Sequence, residues 1–110
     1  MIKQLEKQFT GTGEVKGFKF TQMLFTQHAY LYEVNSGEQI HFEVFKRLKS
    51  PVCIDFEKRI YSDTEFKETY PKANRFGVDA FTKTNVYDGI AKMHEIERVE
   101  TLKKLEEEQK

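Results

Sequence analysis

Three histidines, one cysteine and a close pair of acids are the side chains of this sequence whose types support catalysis or metal binding. Asp55 and Glu57 stand two apart in Ile54-Asp55-Phe56-Glu57. A strand would turn both to one face, the placement a carboxylate pair needs for acid-base work. Lys58 and Arg59 follow at once and balance them, as on a solvated surface. His28, His41 and His94 show no His-x-His or His-x-x-x-His spacing, so a zinc site would need assembly by tertiary contacts alone. Cys53 has no glycine-rich elbow beside it to serve a thiol nucleophile with His41 as base, and reads as a small apolar side chain. The expectation is a protein that is not an enzyme, with no catalytic residue, no metal and no cofactor.

Three longer patterns touch on ligands. Gly11, Gly13 and Gly17 miss the spacing of a dinucleotide loop by one position, and a strand-like segment follows them, so they read as turn residues. Asp55 with Glu65-Phe66-Lys67 resembles the acid and Glu-x-Lys order of metal-dependent nucleases, whose groups lie on adjacent strands. The segment 63–69 reads as helical turns, which would send Glu65 and Lys67 to different sides. Lys16-Gly17-Phe18-Lys19-Phe20 resembles the start of the aromatic strand of RNA-recognition and cold-shock domains, where two phenylalanines stack on unpaired bases. That resemblance implies single-strand nucleic-acid binding by Phe18 and Phe20, flanked by Lys16, Lys19, Lys46 and Arg47. Burial of both rings in a strand accounts for the same letters, so this is the alternative reading.

The chain around these residues has 110 positions, 18 basic and 18 acidic side chains, and ten phenylalanines within a 14% aromatic content. That aromatic surface offsets chain entropy and excludes disorder over most of the length. Zero net charge argues against a general polyanion binder. Residues 1–50 carry seven basic against five acidic side chains and residues 85–110 five against seven, a weak asymmetry. No apolar run approaches the roughly 20 residues of a membrane span, and the start lacks a secretion signal. A single cysteine forbids an intrachain disulfide. A cytoplasmic protein that engages no membrane is expected.

The elements that must position these groups read as an antiparallel meander. Phe18–Phe25 alternates and then slips phase, which calls for a bulge near Gln22. A hairpin runs from Tyr30 to Phe45 through Asn35-Ser36-Gly37, with Gly37 left-handed. A type I turn there pairs Val34 with Glu38, Tyr32 with Ile40 and Tyr30 with Phe42, giving a core face of Tyr30, Tyr32, Val34, Ile40, Phe42 and Val44. Ser50-Pro51 breaks the next strand, 54–60 forms a fifth, and Ser62 with Glu65 predicts a short helix over 63–69. A loop follows from Tyr70, then a short extended piece over 78–81.

Asn85 caps the one long helix, whose inward stripe is Val86, Ile90 and Met93, edged by Tyr87 and His94. Beyond it Ile96, Val99, Leu102 and Leu105 recur every three residues. At about 100° per residue each step turns the apolar position back by about 60°. A sheet cannot bury a stripe that drifts round the helix, so these four residues are candidates for a protein interface. Glu106 and Lys110 form an i,i+4 pair at the end.

The pieces Gly13 to Phe18, Phe42-Glu43-Val44-Phe45-Lys46, Tyr70-Pro71 and Arg75-Phe76-Gly77-Val78-Asp79-Ala80-Phe81, followed by a helix, resemble small proteins encoded on bacterial phages and conjugative elements. The resemblance implies a strand meander closed by a helix in a mobile-element setting, and brings no site residues. The expectation is therefore one α+β domain over 1–96, an antiparallel meander of four to five strands packed on one long C-terminal helix, with a charged helical extension over 97–110. Its function is read as non-catalytic binding through protein contacts, with an unidentified protein or by self-association.

Overall fold

The computed structural model describes residues 2–108. Its elements are β1 (Ile2–Lys3), β2 (Gln8–Thr10), β3 (Lys19–Phe25), β4 (Ala29–Asn35), β5 (Ile40–Lys46), β6 (Lys49–Asp55), β7 (Ile60–Glu68), β8 (Ala80–Lys83) and α1 (Val86–Glu108). The fold is α+β: a five-stranded antiparallel sheet in the order β2-β3-β4-β5-β8 carries α1 on one face. A second sheet, β1-β7-β6, is built from a long β6–β7 hairpin with β1 added in parallel.

β4 is the centre of the molecule because Ala29-Tyr30-Leu31-Tyr32 is apolar on both sides of the pleat, as a strand covered on both faces must be. Its even-numbered residues enter an aromatic cluster. Phe9 stacks on Phe20 at 4.6 Å and Tyr32 on Phe45 at 5.5 Å, while Tyr70 meets Phe20 and Phe45 edge-on. The odd-numbered residues Ala29 and Leu31, with Val44, pack under Met93, flanked by Ile90 and Ile96 of α1. The helix lies close because Gly89 has no Cβ; one added there would come within 2.8 Å of Leu31 Cδ1.

The bulge lies where the alternation slipped, between Gln22 and Leu24. The β4–β5 register is different from that predicted: Asn35 pairs with Ile40, Val34 with His41, Tyr32 with Glu43 and Tyr30 with Phe45. The shift is three residues. An odd shift exchanges the faces of one strand, so Phe42 and Val44 face the helix, Ile40 is 55% exposed, and Glu43 and Phe45 join Tyr30 and Tyr32. The cause is a four-residue loop, in which Asn35 Oδ1 accepts from Gly37 N at 2.8 Å and Ser36 N donates to Gln39 O. Gly37 is left-handed, φ +93°.

The segment after Lys49 departs further from expectation. Pro51 sits inside β6, opposite Phe66, and in place of the helix expected over 63–69 the strand β7 runs on to Glu68. Ser62 Oγ does accept from Glu65 N at 2.8 Å, as a cap would, but the bond closes a kink where the β6–β7 register jumps. The piece read as a fifth strand, 54–60, is the end of β6, the hairpin's turn over 56–59 and the first residue of β7, with Arg59 at φ +53°. The hairpin projects, and with the end of α1 it raises the radius of gyration to 15.4 Å, against about 13 Å for a compact domain of this length.

The helix begins as expected, Asn85 Oδ1 accepting from Asp88 N at 2.9 Å. Tyr87 and His94 do not edge its buried stripe; both are exposed. Among the described residues, no helix is long and apolar enough to cross a membrane.

Candidate functional site

The sheet face away from α1 holds two carboxylates withdrawn from water, and each is built differently. Glu68, at the end of β7, accepts from Arg47 Nε at 2.7 Å, Arg47 Nη2 at 3.3 Å, Tyr30 Oη at 2.5 Å and Leu5 N at 3.3 Å. Arg47 also donates to Thr26 O and lies over the Tyr30 ring. Burial pushes the Glu68 carboxyl upward, but the bonds from Arg47 and Tyr30 outweigh it and hold the group below the usual carboxylate range. Burial, then the bond to Glu68, raises the Tyr30 phenol.

Glu43 stands on β5, 4% exposed, and faces the aromatic cluster because of the register described above. It accepts from Tyr70 Oη on one oxygen and contacts His41 Nε2 at 3.0 Å on the other. Burial, followed by this bond, raises the Tyr70 phenol. Glu43 also lines a cavity of about 650 Å³, within the range of small-ligand sites. Phe9, Tyr70 and Phe76 wall the cavity, with Leu5 and Val15 beside them. Composition gave no sign of this recess. Its signal was Glu43 in an otherwise apolar run, Phe42 to Phe45, read as facing outward in the wrong register.

The residues singled out in the sequence are mostly dispersed. Asp55 ends β6 and accepts from Lys58 N at 3.2 Å, closing the turn in which Glu57 is exposed, so the two acids share no strand face. Cys53 is in the small sheet and His41 in the large one. His28 binds Glu97 of α1 through Nδ1 at 2.8 Å and through its backbone N–H at 2.6 Å. Among the described residues, no group of three or more His, Cys, Asp and Glu side chains is placed to hold a metal ion.

The nucleic-acid candidates do not form an open platform. Phe20 is 1% exposed inside the aromatic cluster, and Phe18 packs against that cluster, half-buried. Lys46 is paired with Glu100 at 2.8 Å and Arg47 with Glu68. Lys16 and Lys19 alone of the six are exposed. The rings therefore serve the core, as alternation in a strand covered on its inner face requires.

Of the interface candidates, Ile96 is claimed by the core, half-buried against the cluster of Leu31, Val44 and Met93. Val99, Leu102 and Leu105 are 41%, 53% and 48% exposed. The helix is tied to the sheet beyond residue 96, through Glu97 to His28 and Glu100 to Lys46. Glu100 also meets Lys103 at 3.5 Å. Lys110, the expected partner of Glu106, lies outside the described residues. Comparison with protein-family models, with curated proteins and with solved structures finds no match for this chain.

Proposed function

We propose that this is a non-catalytic binding protein that works through protein contacts, and that the end of α1 pairs with a second copy of the chain. The supporting observation is the exposed patch of Val99, Leu102 and Leu105, which the domain's own sheet leaves uncovered. Its charges favour a self-complementary, antiparallel arrangement. At about 100° and 1.5 Å per residue, Arg98 and Glu106 sit one turn before and after Leu102 on the same side of the helix. Two copies related by a two-fold axis at Leu102 bring Leu102 against its equivalent, Val99 level with Leu105, and Arg98 level with Glu106 of the other chain. Three apolar side chains per copy make a small contact, below the area of a stable dimer, so the association is weak and reversible. Small size and the resemblance to mobile-element proteins fit an accessory role of this kind.

Sedimentation velocity over a concentration series tests the pairing. The mean mass rises with concentration, and Leu102→Glu abolishes the rise without changing the thermal midpoint. Arg98→Glu weakens association, and Arg98→Glu with Glu106→Arg restores it. A monomer at every concentration overturns the reading.

A further inference from the structure

We infer that the cavity over Glu43 is a binding site for an alkylated ammonium group, the head of a small quaternary amine or of a trimethylated lysine side chain. The inference is independent of the proposed pairing, because the cavity lies on the sheet face opposite α1. Its walls are aromatic rings set at steep angles: Phe9 to Tyr70 at 65° and Tyr70 to Phe76 at 51°, each pair 6.2 Å between centroids. Ring faces carry negative charge density and attract a cation that needs no hydrogen bonds, which is how aromatic cages hold quaternary ammonium groups.

Glu43 supplies the charge. Among the described residues no lysine or arginine is paired with it; its ionic neighbour is His41, a cation only when protonated. A carboxylate kept from water without a permanent counter-charge attracts a cation more strongly than one on the surface. Both its oxygens already have partners, Tyr70 and His41, so it attracts chiefly by charge rather than by receiving the three hydrogens of a primary amine. That distinction selects an alkylated group over a bare one. At the rim Glu14 and Lys72 oppose each other in sign, leaving Glu43 to decide which charge enters.

Amide chemical-shift titration of the isotope-labelled full chain tests this. Choline should shift residues around Phe9, Glu43 and Tyr70, and its neutral carbon isostere 3,3-dimethylbutanol should bind about tenfold more weakly or worse, the difference a cation–π and charge contact makes. Glu43→Gln should reduce that discrimination to what the rings alone supply, while keeping the dispersed spectrum of a folded chain. Should the variant fail to fold, the pair of wild-type titrations decides alone. A trimethyllysine peptide and its unmodified counterpart form the second arm: preference for the trimethylated peptide over choline identifies a protein-borne ligand, and preference for choline a small molecule. Equal binding of choline and its isostere together with equal binding of the two peptides, or no shift with any probe, overturns the inference.

Discussion

Glu68 and Glu43 are both carboxylates removed from water against the same aromatic cluster, yet one is closed and the other is left open. Glu68 has a guanidinium fork on both its oxygens, a phenol and a backbone amide. Glu43 has a phenol, a histidine and a cavity. A buried charge is tolerated when its partners are complete, and its removal then leaves an orphan. Glu68 joins the hairpin strand β7 to Arg47, just beyond β5, and to Tyr30 on β4, and so fixes the small sheet to the large one. Glu43 joins nothing that Tyr70 and Phe76 would not hold by packing, and its incompleteness is that of a site with room for something else.

The largest test of this contrast is stability. Arg47→Ala leaves Glu68 buried without its cation and should cost about 3–5 kcal/mol in urea unfolding, as should Glu68→Ala in leaving the arginine unpaired. Glu43→Gln removes a charge that has no permanent partner among the described residues while preserving shape, and should change stability by no more than about 1 kcal/mol. Equal costs at the two positions would erase the distinction.

Acid should act next, and through the closed site. The folded state holds the Glu68 carboxyl below its ordinary range, so the unfolded chain binds more protons as pH falls through that range. The stabilisation is complete above about pH 4.3, the unfolded value for glutamate, and drains away as pH drops through the lower folded value. Glu97 and Glu100 are also held low, Glu97 by Thr26 and His28 against the cost of burial and Glu100 chiefly by Lys46, so they act in the same direction. Urea midpoints measured from pH 6 to pH 3 should fall, and Glu68→Gln should flatten but not abolish the slope.

How much of this was legible in the sequence depended on where the deciding contacts lie. The helix was legible because Asn85 and the spacing of Val86, Ile90 and Met93 are local signals, and the exposed patch at Val99, Leu102 and Leu105 followed from angular arithmetic. The bulge at Gln22 was visible as a break in alternation. The hairpin register was not, since the Asn35 to Gly37 bond that lengthens the loop looks in sequence like any Asn-Ser-Gly turn, and a three-residue slip moved Glu43 from solvent to core. The β6–β7 hairpin hid for a related reason. Its turn, Phe56-Glu57-Lys58-Arg59, contains no glycine, and the left-handed position falls on an arginine; Ser62 then makes a cap's hydrogen bond inside a strand. The cavity depends on Phe9, Glu43, Tyr70 and Phe76, far apart in the chain, and only tertiary structure brings them together.

The finest test compares two phenols. Tyr30→Phe and Tyr70→Phe each delete one hydroxyl that donates to a withdrawn carboxylate, with no change in ring packing. A bond to a charged group contributes about 1.5–3 kcal/mol when nothing can replace the donor. At Glu68 nothing can, because Arg47 and the ring of Tyr30 itself close the space, so Tyr30→Phe should approach that cost. At Glu43 the loss of the Tyr70 hydroxyl opens its oxygen to the cavity, where a water can enter and serve as donor in its place at little expense. Tyr70→Phe should therefore cost under about 1 kcal/mol. Thermal unfolding of the two variants beside the wild type measures the gap, and a Tyr70→Phe loss as large as that of Tyr30→Phe would mean that Glu43 is sealed as Glu68 is.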